Sequence, residues 1–244
     1  MKLYREVIAA ILMPILLVNI TVMAIVPAYA LDGPPTWRVG WSLANVIGQE
    51  IQQRGSSAYM NQLVDPYVES CCNKRTSAWI GATATFNAVW IQVGWYKGAW
   101  GVGTCSDIYS SMKIYAEKYD GSTINCVQGG TPSANVRYRY EVLWVTNQGN
   151  GNYVWHAKWD GATVTTLTIP YYELFQDVSG ETKDDSTPTA TFETRADTLR
   201  YYDQAGTEWG WLYHTSECSS KYGVLEYTNT ELKVYGTSPS PLCE

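Results

Sequence analysis

The chain has 244 residues and a formal net charge of −6 at neutral pH, with 17 basic and 23 acidic side chains. Because the basic residues form no run, this balance argues against nucleic acid and against an anionic membrane surface as partners. Hydrophobic residues make up 45% of the chain and include 11 Trp and 19 Tyr, enough to fill the core of one large domain.

The N-terminus has the three parts of a secretory signal peptide. A short charged segment, MKLYRE, precedes an almost wholly apolar stretch at residues 7–26, and Ala28-Tyr29-Ala30 has the small-x-small pattern of a cleavage site. We therefore expect residues 1–30 to be removed and the protein to be secreted. The alternative is that the long apolar stretch stays as an N-terminal anchor that holds the remaining chain outside the membrane.

Residues 31–77 are predicted to form an arm that precedes the main domain. The DGPP stretch at 32–35 is typical of a linker. The sequence SLANVIGQEIQQR, residues 42–54, places its apolar side chains near one face of a helix. We therefore expect a short helical arm that packs on the domain, or a prosegment that is removed.

Six cysteines lie in the exported part, which favours up to three disulfides in an oxidising compartment. They are Cys71, Cys72, Cys105, Cys126, Cys218 and Cys243. Neighbouring cysteines strain the peptide between them when they bond, so the first two are expected to reach different partners. The two C-terminal cysteines are candidates for those partners, which leaves Cys105 with Cys126. The spacing fits no zinc site, and we predict neither a metal nor a cofactor.

From residue 78 to residue 244 the sequence consists of short runs rich in Val, Ile, Thr, Tyr and Trp, separated by turn residues. The predicted strands are 78–86, 88–96, 110–119, 137–147, 153–159, 162–169, 173–182, 189–193, 198–202, 208–214, 222–228 and 231–235. QGNGN at 148–152 and DG at 160–161 have the composition of hairpin turns. Short connections imply antiparallel sheets, so we predict an all-β sandwich or jelly roll.

Alternation within the predicted strands collects polar and aromatic residues on one face of a sheet. In the strand 88–96, Val and Ile alternate with a second set that includes one amide, Gln92. This second set would form the floor of a groove, together with residues of two other strands. The set on the three strands is Trp90, Gln92, Gly94 and Tyr96; Lys113, Tyr115, Glu117 and Tyr119; and Phe175, Asp177, Ser179 and Glu181.

The order of four short motifs resembles that of glutamic peptidases, the eqolisin family and the more distant neprosin group. The motifs are WIQVGWYKG, IYAEKYDG, YVWHAKWDGATVTTL and VSGET, within residues 78–195. The resemblance implies a β-sandwich related to concanavalin-like lectins and glucanases. It also implies a catalytic pair, with Gln92 in the position of the eqolisin glutamine and Glu181 in the position of the catalytic glutamate. Neprosin-like sequences carry Glu where this chain has Gln92.

The implied activity is that of an acid-type endopeptidase acting on polypeptides. Glu181 would accept a proton from water and return it to the leaving amine. The Gln92 amide would donate to the oxyanion, which needs no charge of its own. We expect a monomer whose substrate-binding side chains are Trp90, Tyr96, Tyr115, Glu117 and Trp155.

Two other functions fit the same composition. A carbohydrate-binding sandwich would use the rings of Trp90, Tyr96, Trp155 and Trp159 as stacking platforms. It would retain glycans without turnover, with polysaccharide as the partner. A retaining glycosidase would need two carboxyl groups about 5 Å apart, for which Glu117 and Glu181 are the candidates. A serine triad or zinc hydrolase has little support, because the only histidines are His156 and His214 and neither lies in a catalytic motif.

Overall fold

The computed structural model describes residues 37–46, 49–50, 52–63, 65–66, 68, 74–84, 89–171, 174–183, 192–203, 205–211, 213–218 and 222–236. For residues 37–46, 49–50, 52, 181–183, 192, 213–218, 222–223 and 236 the description covers the backbone alone. The predicted signal peptide lies outside the described residues. Within the described part of the chain, no helix is long and apolar enough to cross a membrane.

The described residues form seventeen β-strands. They are β1 (Trp37–Val46), β2 (Gln49–Glu50), β3 (Gln52–Gln53), β4 (Gly55–Gln62), β5 (Arg75–Thr83), β6 (Trp90–Gly98), β7 (Ile108–Tyr119), β8 (Ile124–Gln128), β9 (Arg137–Asn147), β10 (Tyr153–Trp159), β11 (Ala162–Ile169), β12 (Leu174–Lys183), β13 (Phe192–Tyr202), β14 (Glu208–Gly210), β15 (Tyr213–Cys218), β16 (Tyr222–Thr228) and β17 (Glu231–Gly236).

The strands build two antiparallel sheets, which confirms the predicted sandwich. Sheet A has the order β15-β1-β12-β5-β6-β7-β8, with β2 and β3 added to β1 and β12. Sheet B has the order β11-β10-β9-β4-β13-β17-β16, with β14 added to β13. Since many neighbours in these orders are distant in the chain, both sheets depend on long-range pairing.

The hydrophobic core lies between the two sheets. Sheet A contributes alternate residues of β5, β6, β7 and β12, and sheet B contributes alternate residues of its central strands. Among the largest fully buried members are Ile80, Ile91, Trp95, Ile114, Tyr140 and Trp155. Each such side chain stabilises the fold by about 1.5–3 kcal/mol relative to exposure. The alternation fixes which face of sheet A is turned away from the core.

A chain of polar side chains connects the two sheets through the core. Trp95 Nε1 in β6 donates to Thr194 Oγ1 in β13 at 3.1 Å. The Thr194 hydroxyl in turn donates to Gln62 Oε1 in β4. Both Thr194 and Gln62 are buried, so this chain supplies hydrogen bonds to groups that are removed from water.

The helix predicted for residues 42–54 is wrong, because the described residues of this segment are strands. β1 pairs with β12 on one side and with β15 on the other. Its sequence, WRVGWSLANV, also alternates Trp37, Val39, Trp41 and Leu43, a period that fits a strand. The hydrogen bonds of two neighbouring strands therefore outweigh the helical periodicity of the later residues.

The strands that precede residue 78 belong to both sheets. β1 lies inside sheet A, and β4 lies between β9 and β13 in sheet B. The boundary expected at residue 78 also falls inside β5. The strands β1 to β4 therefore contribute to the sandwich itself.

Most strands predicted from residue 78 onward are found, with three differences. The predicted strands 189–193 and 198–202 are joined in β13, and 208–214 is divided between β14 and the start of β15. β8 was not expected. The two predicted hairpin turns are confirmed, since Gly149, Gly151, Asp160 and Gly161 all have positive φ.

One of the expected disulfides is present, between Cys105 and Cys126. Cys71, Cys72 and Cys243 lie outside the described residues, and Cys218 is described only as the last backbone position of β15. Their pairing stays a prediction.

Candidate functional site

The outer face of sheet A carries a row of polar residues in register across five strands. Asp177 of β12 pairs with Gly81 of β5, which pairs with Gln92 of β6. Gln92 in turn pairs with Glu117 of β7, which pairs with Cys126 of β8. Directly paired residues project to the same face of a sheet, so an amide lies between two carboxylates in this row.

The Gln92 side chain is held by two residues of β7. Its Nε2 donates to Tyr115 Oη at 3.2 Å and to Glu117 Oε1 at 3.3 Å. A carboxylate can only accept, so Glu117 determines which end of the amide faces β7. The amide oxygen is therefore the end of Gln92 that is left for the side of β5.

Trp100 covers Glu117 from the loop between β6 and β7. Its Nε1 donates to Glu117 Oε2 at 3.0 Å, and its ring lies 4.6 Å from the Tyr115 ring and 5.1 Å from the Tyr96 ring. The guanidinium carbon of Arg75 lies 4.2 Å from the centre of the Trp100 ring, a cation–π contact. The three rings belong to a second apolar cluster, on the face of sheet A opposite the core.

The disulfide anchors this loop to the edge strand β8. Cys105 bonds to Cys126, and the Thr104 amide donates to the Cys126 carbonyl oxygen at 2.8 Å. Gly103 has a φ of 61°, and a side chain there would collide with the same carbonyl oxygen. The loop is thus fixed at the position that places Trp100 over Glu117.

Asp177 is held at the other end of the row by two donors. Ser179 Oγ donates to Asp177 Oδ2 at 2.7 Å, and Trp79 Nε1 donates to the same oxygen at 3.2 Å. The other oxygen, Oδ1, lies over Gly81: a Cβ at residue 81 would come within 2.5 Å of it. The carboxylate therefore leans from β12 across β5 toward β6.

The polar residues of this row are largely buried. The exposed fraction is 7% for Gln92, 5% for Glu117 and 3% for Asp177. Burial is also the main reason that the pKa of Tyr96 is raised to about 12, with the charge of Asp107 as a further cause. Electrostatic interactions in such a site are stronger than at an exposed surface.

The structure brings together four of the residues predicted for the site: Gln92, Tyr96, Tyr115 and Glu117. Trp90 lies two residues before Gln92 in β6 and packs on Tyr119, with 4.5 Å between ring centres. Together with Trp100 and Asp177 they lie on the outer face of sheet A.

The prediction that Trp155 binds substrate is corrected by its position. Trp155 is fully buried in the core between the sheets, where its Nε1 donates to the Tyr171 carbonyl oxygen at 2.8 Å. Alternation along β10 turns residues 155 and 157 inward. Its ring is therefore not available to a ligand.

Glu181 lies in a different row of the same sheet. Its backbone pairs with Ser77 of β5, four residues along β12 from Asp177. This offset corresponds to about 13 Å along the strand. Because the side chain of Glu181 lies outside the described residues, the predicted pair of Gln92 and Glu181 stays a prediction.

Sequence reasoning did not assign Trp100 or Asp177 to the site. Trp100 lies in the GAWGVG segment, which has no strand or helix period, and its position depends on the disulfide. Asp177 was placed on the correct face by alternation, but its register with Gln92 depends on pairing through β5. In the described parts of the chain, no group of three His, Cys, Asp or Glu side chains is placed to hold a metal ion.

The sequence matches no protein-family model and no curated protein. Among solved structures, SCP-B, a member of the eqolisin family of peptidases in a complex with the tripeptide Ala-Ile-His, matches 83% of this chain and 99% of its own, at 9% identity and a TM-score of 0.47. A β-glucanase of Bacillus licheniformis matches 82% of this chain and 75% of its own, at 14% identity and a TM-score of 0.33. The κ-carrageenase of Pseudoalteromonas carrageenovora, in a complex with an oligotetrasaccharide of κ-carrageenan, matches 83% of this chain and 64% of its own, at 11% identity and a TM-score of 0.27. These likenesses concern the β-sandwich fold.

Proposed function

We propose that this protein is a secreted endopeptidase that hydrolyses amide bonds with water activated by a carboxylate of β12 and positioned by Gln92. The observation that carries the proposal is the row in which the Gln92 amide lies between two carboxylates on one face of sheet A. β12 carries two acidic residues, Asp177 and Glu181, which are four residues apart. The resemblance assigns Glu181 as the catalytic carboxylate. The disulfide is consistent with an exported protein.

The reaction needs a base for water and a donor for the carbonyl oxygen. The carboxylate takes one proton from water while the water oxygen bonds to the amide carbon, and the carbonyl oxygen becomes negative. The carboxylic acid then returns the proton to the amide nitrogen as the C–N bond breaks. The products are a carboxylic acid and an amine, and the carboxylate is regenerated.

The Gln92 amide can donate a hydrogen bond to the carbonyl oxygen as it becomes negative. One of its N–H groups points to the neutral Tyr115 hydroxyl at 3.2 Å, a long hydrogen bond that a developing oxyanion can replace. Losing one such donor typically costs about 3 kcal/mol of transition-state stabilisation. Glu117 accepts from the other N–H group, so it acts as a positioning residue for the amide.

The geometry favours this activity over the two carbohydrate functions. Glu117 and Glu181 are three strand spacings and four register positions apart, far beyond the ~5 Å that a retaining glycosidase needs. Three of the four rings that would serve as stacking platforms, those of Trp90, Tyr96 and Trp155, are buried.

The test is to incubate the purified protein with denatured protein and with polysaccharides from about pH 2 to pH 7. We expect cleavage of the protein substrate in acid, and loss of that cleavage in Gln92→Ala. Gln148→Ala, in an exposed hairpin turn, is the matched control and should cleave at the wild-type rate. Turnover of a polysaccharide, or retention on a glycan column without any peptide cleavage, would overturn the proposal.

A further inference from the structure

We propose that Asp177 is the carboxylate that works with Gln92, and that residue 81 is glycine because its missing side chain leaves the space between them. The inference rests on the proposed function and names the base that the reaction uses. It differs from the assignment of Glu181 that the sequence motifs imply.

The register places one position between the two residues. Asp177 pairs with Gly81, and Gly81 pairs with Gln92, so the three residues lie side by side on β12, β5 and β6. With any larger residue at position 81, a side chain would stand between the carboxylate and the amide. With glycine, this space above β5 can take a side chain from a neighbouring strand.

The Asp177 carboxylate occupies that space. A Cβ on residue 81 would lie 2.5 Å from Asp177 Oδ1 and 3.3 Å from its Cγ. The carboxylate oxygen is thus above β5, one strand spacing of about 4.8 Å from the backbone of β6. Gly81 is not among the residues with positive φ, so the backbone conformation does not itself demand glycine. The close approach of Asp177 is the feature that excludes a side chain.

Two donors converge on one oxygen of the Asp177 carboxylate. Trp79 Nε1 and Ser179 Oγ both donate to Oδ2, on the side of β12 and β5. This pair of bonds fixes the plane of the carboxylate and turns Oδ1 toward Gly81. A base held in one orientation is ready for proton transfer without rearrangement.

The Gln92 amide is oriented to match. Its Nε2 is bound to Tyr115 and Glu117 of β7, on the side of β6 away from Gly81. The amide oxygen is then the atom that would meet a water molecule held between Gln92 and the Asp177 carboxylate. Such a water donates one hydrogen to the Gln92 oxygen and the other to Asp177, which directs its lone pairs outward to a substrate carbon.

In the hydrolysis, one proton of the water passes through Asp177. Asp177 accepts the hydrogen that the water donates to it as the water oxygen bonds to the amide carbon of the substrate. Asp177 then gives this proton to the leaving nitrogen as the C–N bond breaks. Glu181, by contrast, is offset by four residues along β12 from the row that holds Gln92.

The experiment compares cleavage of denatured protein by wild type, Asp177→Asn, Glu181→Gln and Gly81→Ala. Since a general base contributes roughly 10²–10⁴-fold, we expect the kcat of Asp177→Asn to fall at least about 100-fold, and at least tenfold further than that of Glu181→Gln. Gly81→Ala should fold, because the atoms nearest to its new methyl group belong to the end of the Asp177 side chain and to the edge of the Trp79 ring, which can shift. It should lose most of the activity, because the displaced carboxylate gives up the bonds from Trp79 and Ser179 that hold it in place. Asp120→Asn, an exposed turn residue whose amide oxygen can accept the same turn bonds, is the matched control and should keep the wild-type rate.

The outcomes separate this inference from the proposed function. If Gln92→Ala abolishes cleavage but Asp177→Asn retains it and Glu181→Gln does not, the endopeptidase stands and Asp177 is not its base. If the wild type cleaves no peptide bond, the proposed function fails, and a high-resolution crystal structure decides the placement. A solvent molecule bonded to both Gln92 and Asp177 in the wild type, and displaced in Gly81→Ala, supports the shared site; its absence from the wild type overturns it.

Discussion

Gln92 differs from an ordinary cross-strand glutamine in how its amide is bound. Both donors that it directs to β7 meet oxygens, and one of those oxygens belongs to a nearly buried carboxylate. Glu117 in turn accepts from Trp100, so the orientation of one amide depends on a tryptophan in the loop that follows β6. A buried polar network of this kind specifies one arrangement when its members are satisfied.

Replacing Trp100 by Phe tests this dependence. The substitution keeps a ring between Tyr96 and Tyr115 but removes the N–H group that donates to Glu117. Hydrogen bonds to charged groups contribute about 1.5–3 kcal/mol, so we expect the free energy of unfolding in urea to fall by that amount. Trp209→Phe, which removes an exposed donor to the Asp203 carboxylate, is the control and should cost less than about 1 kcal/mol, because water can replace an exposed hydrogen bond. Equal losses in the two variants would contradict this account of Glu117.

At the scale of elements, the chain of hydrogen bonds from Trp95 through Thr194 to Gln62 ties sheet A to sheet B. Thr194→Val has nearly the same shape but removes both bonds from the core. We expect it to lower the free energy of unfolding by about 1–3 kcal/mol, measured by denaturant titration. Thr168→Val, on the exposed side of β11, should leave that energy nearly unchanged. A Thr194→Val protein as stable as the wild type would show that the two bonds have no net effect.

The disulfide acts on the element that carries Trp100. It closes a loop of 21 residues, and the loss of such a bond typically costs about 3 kcal/mol. We expect the double variant Cys105→Ser, Cys126→Ser to unfold at a lower temperature and to cleave substrate more slowly, because Trp100 is no longer held over Glu117. Unchanged melting temperature and unchanged kcat would show that the loop keeps its place without the bond.

The strands differ in how far the sequence predicts them. β6 was predicted because Val and Ile alternate with the residues of the outer face, and the same alternation placed Gln92 on that face. β4 was not predicted, because its buried residues include the polar Ser56, Ser57 and Gln62, which give no apolar alternation. Their burial follows from the position of β4 between β9 and β13. The register of Asp177 with Gln92 also depends on long-range pairing, so local patterns predict the face of each residue but not the row.

At the scale of the whole molecule, buried tyrosines make stability depend on alkaline pH. Burial raises the pKa of Tyr96 and of Tyr202 to about 12, with nearby carboxylates as further causes. The neutral hydroxyl is thus favoured in the folded protein. The stability that this provides is complete below the unfolded pKa of about 10 and is lost as pH rises toward 12.

We therefore expect the free energy of unfolding to decrease between about pH 10 and pH 12, and to decrease less steeply in Tyr96→Phe. Tyr171→Phe, at an exposed position, serves as the control and should keep the wild-type slope. Denaturant titrations at several alkaline pH values would measure both slopes. An identical slope in Tyr96→Phe and wild type would contradict the account of Tyr96.

The most direct measurement of the central claim is a double-mutant cycle on kcat for the cleavage of denatured protein, with Gln92→Ala, Asp177→Asn and the double variant. When two residues act on the same water molecule, the loss of either one removes most of their joint effect. We therefore predict that the kcat of the double variant is within about threefold of the kcat of the slower single variant. Losses that multiply in the double variant, or a wild type that cleaves no peptide bond, would contradict the claim that the two side chains share one water.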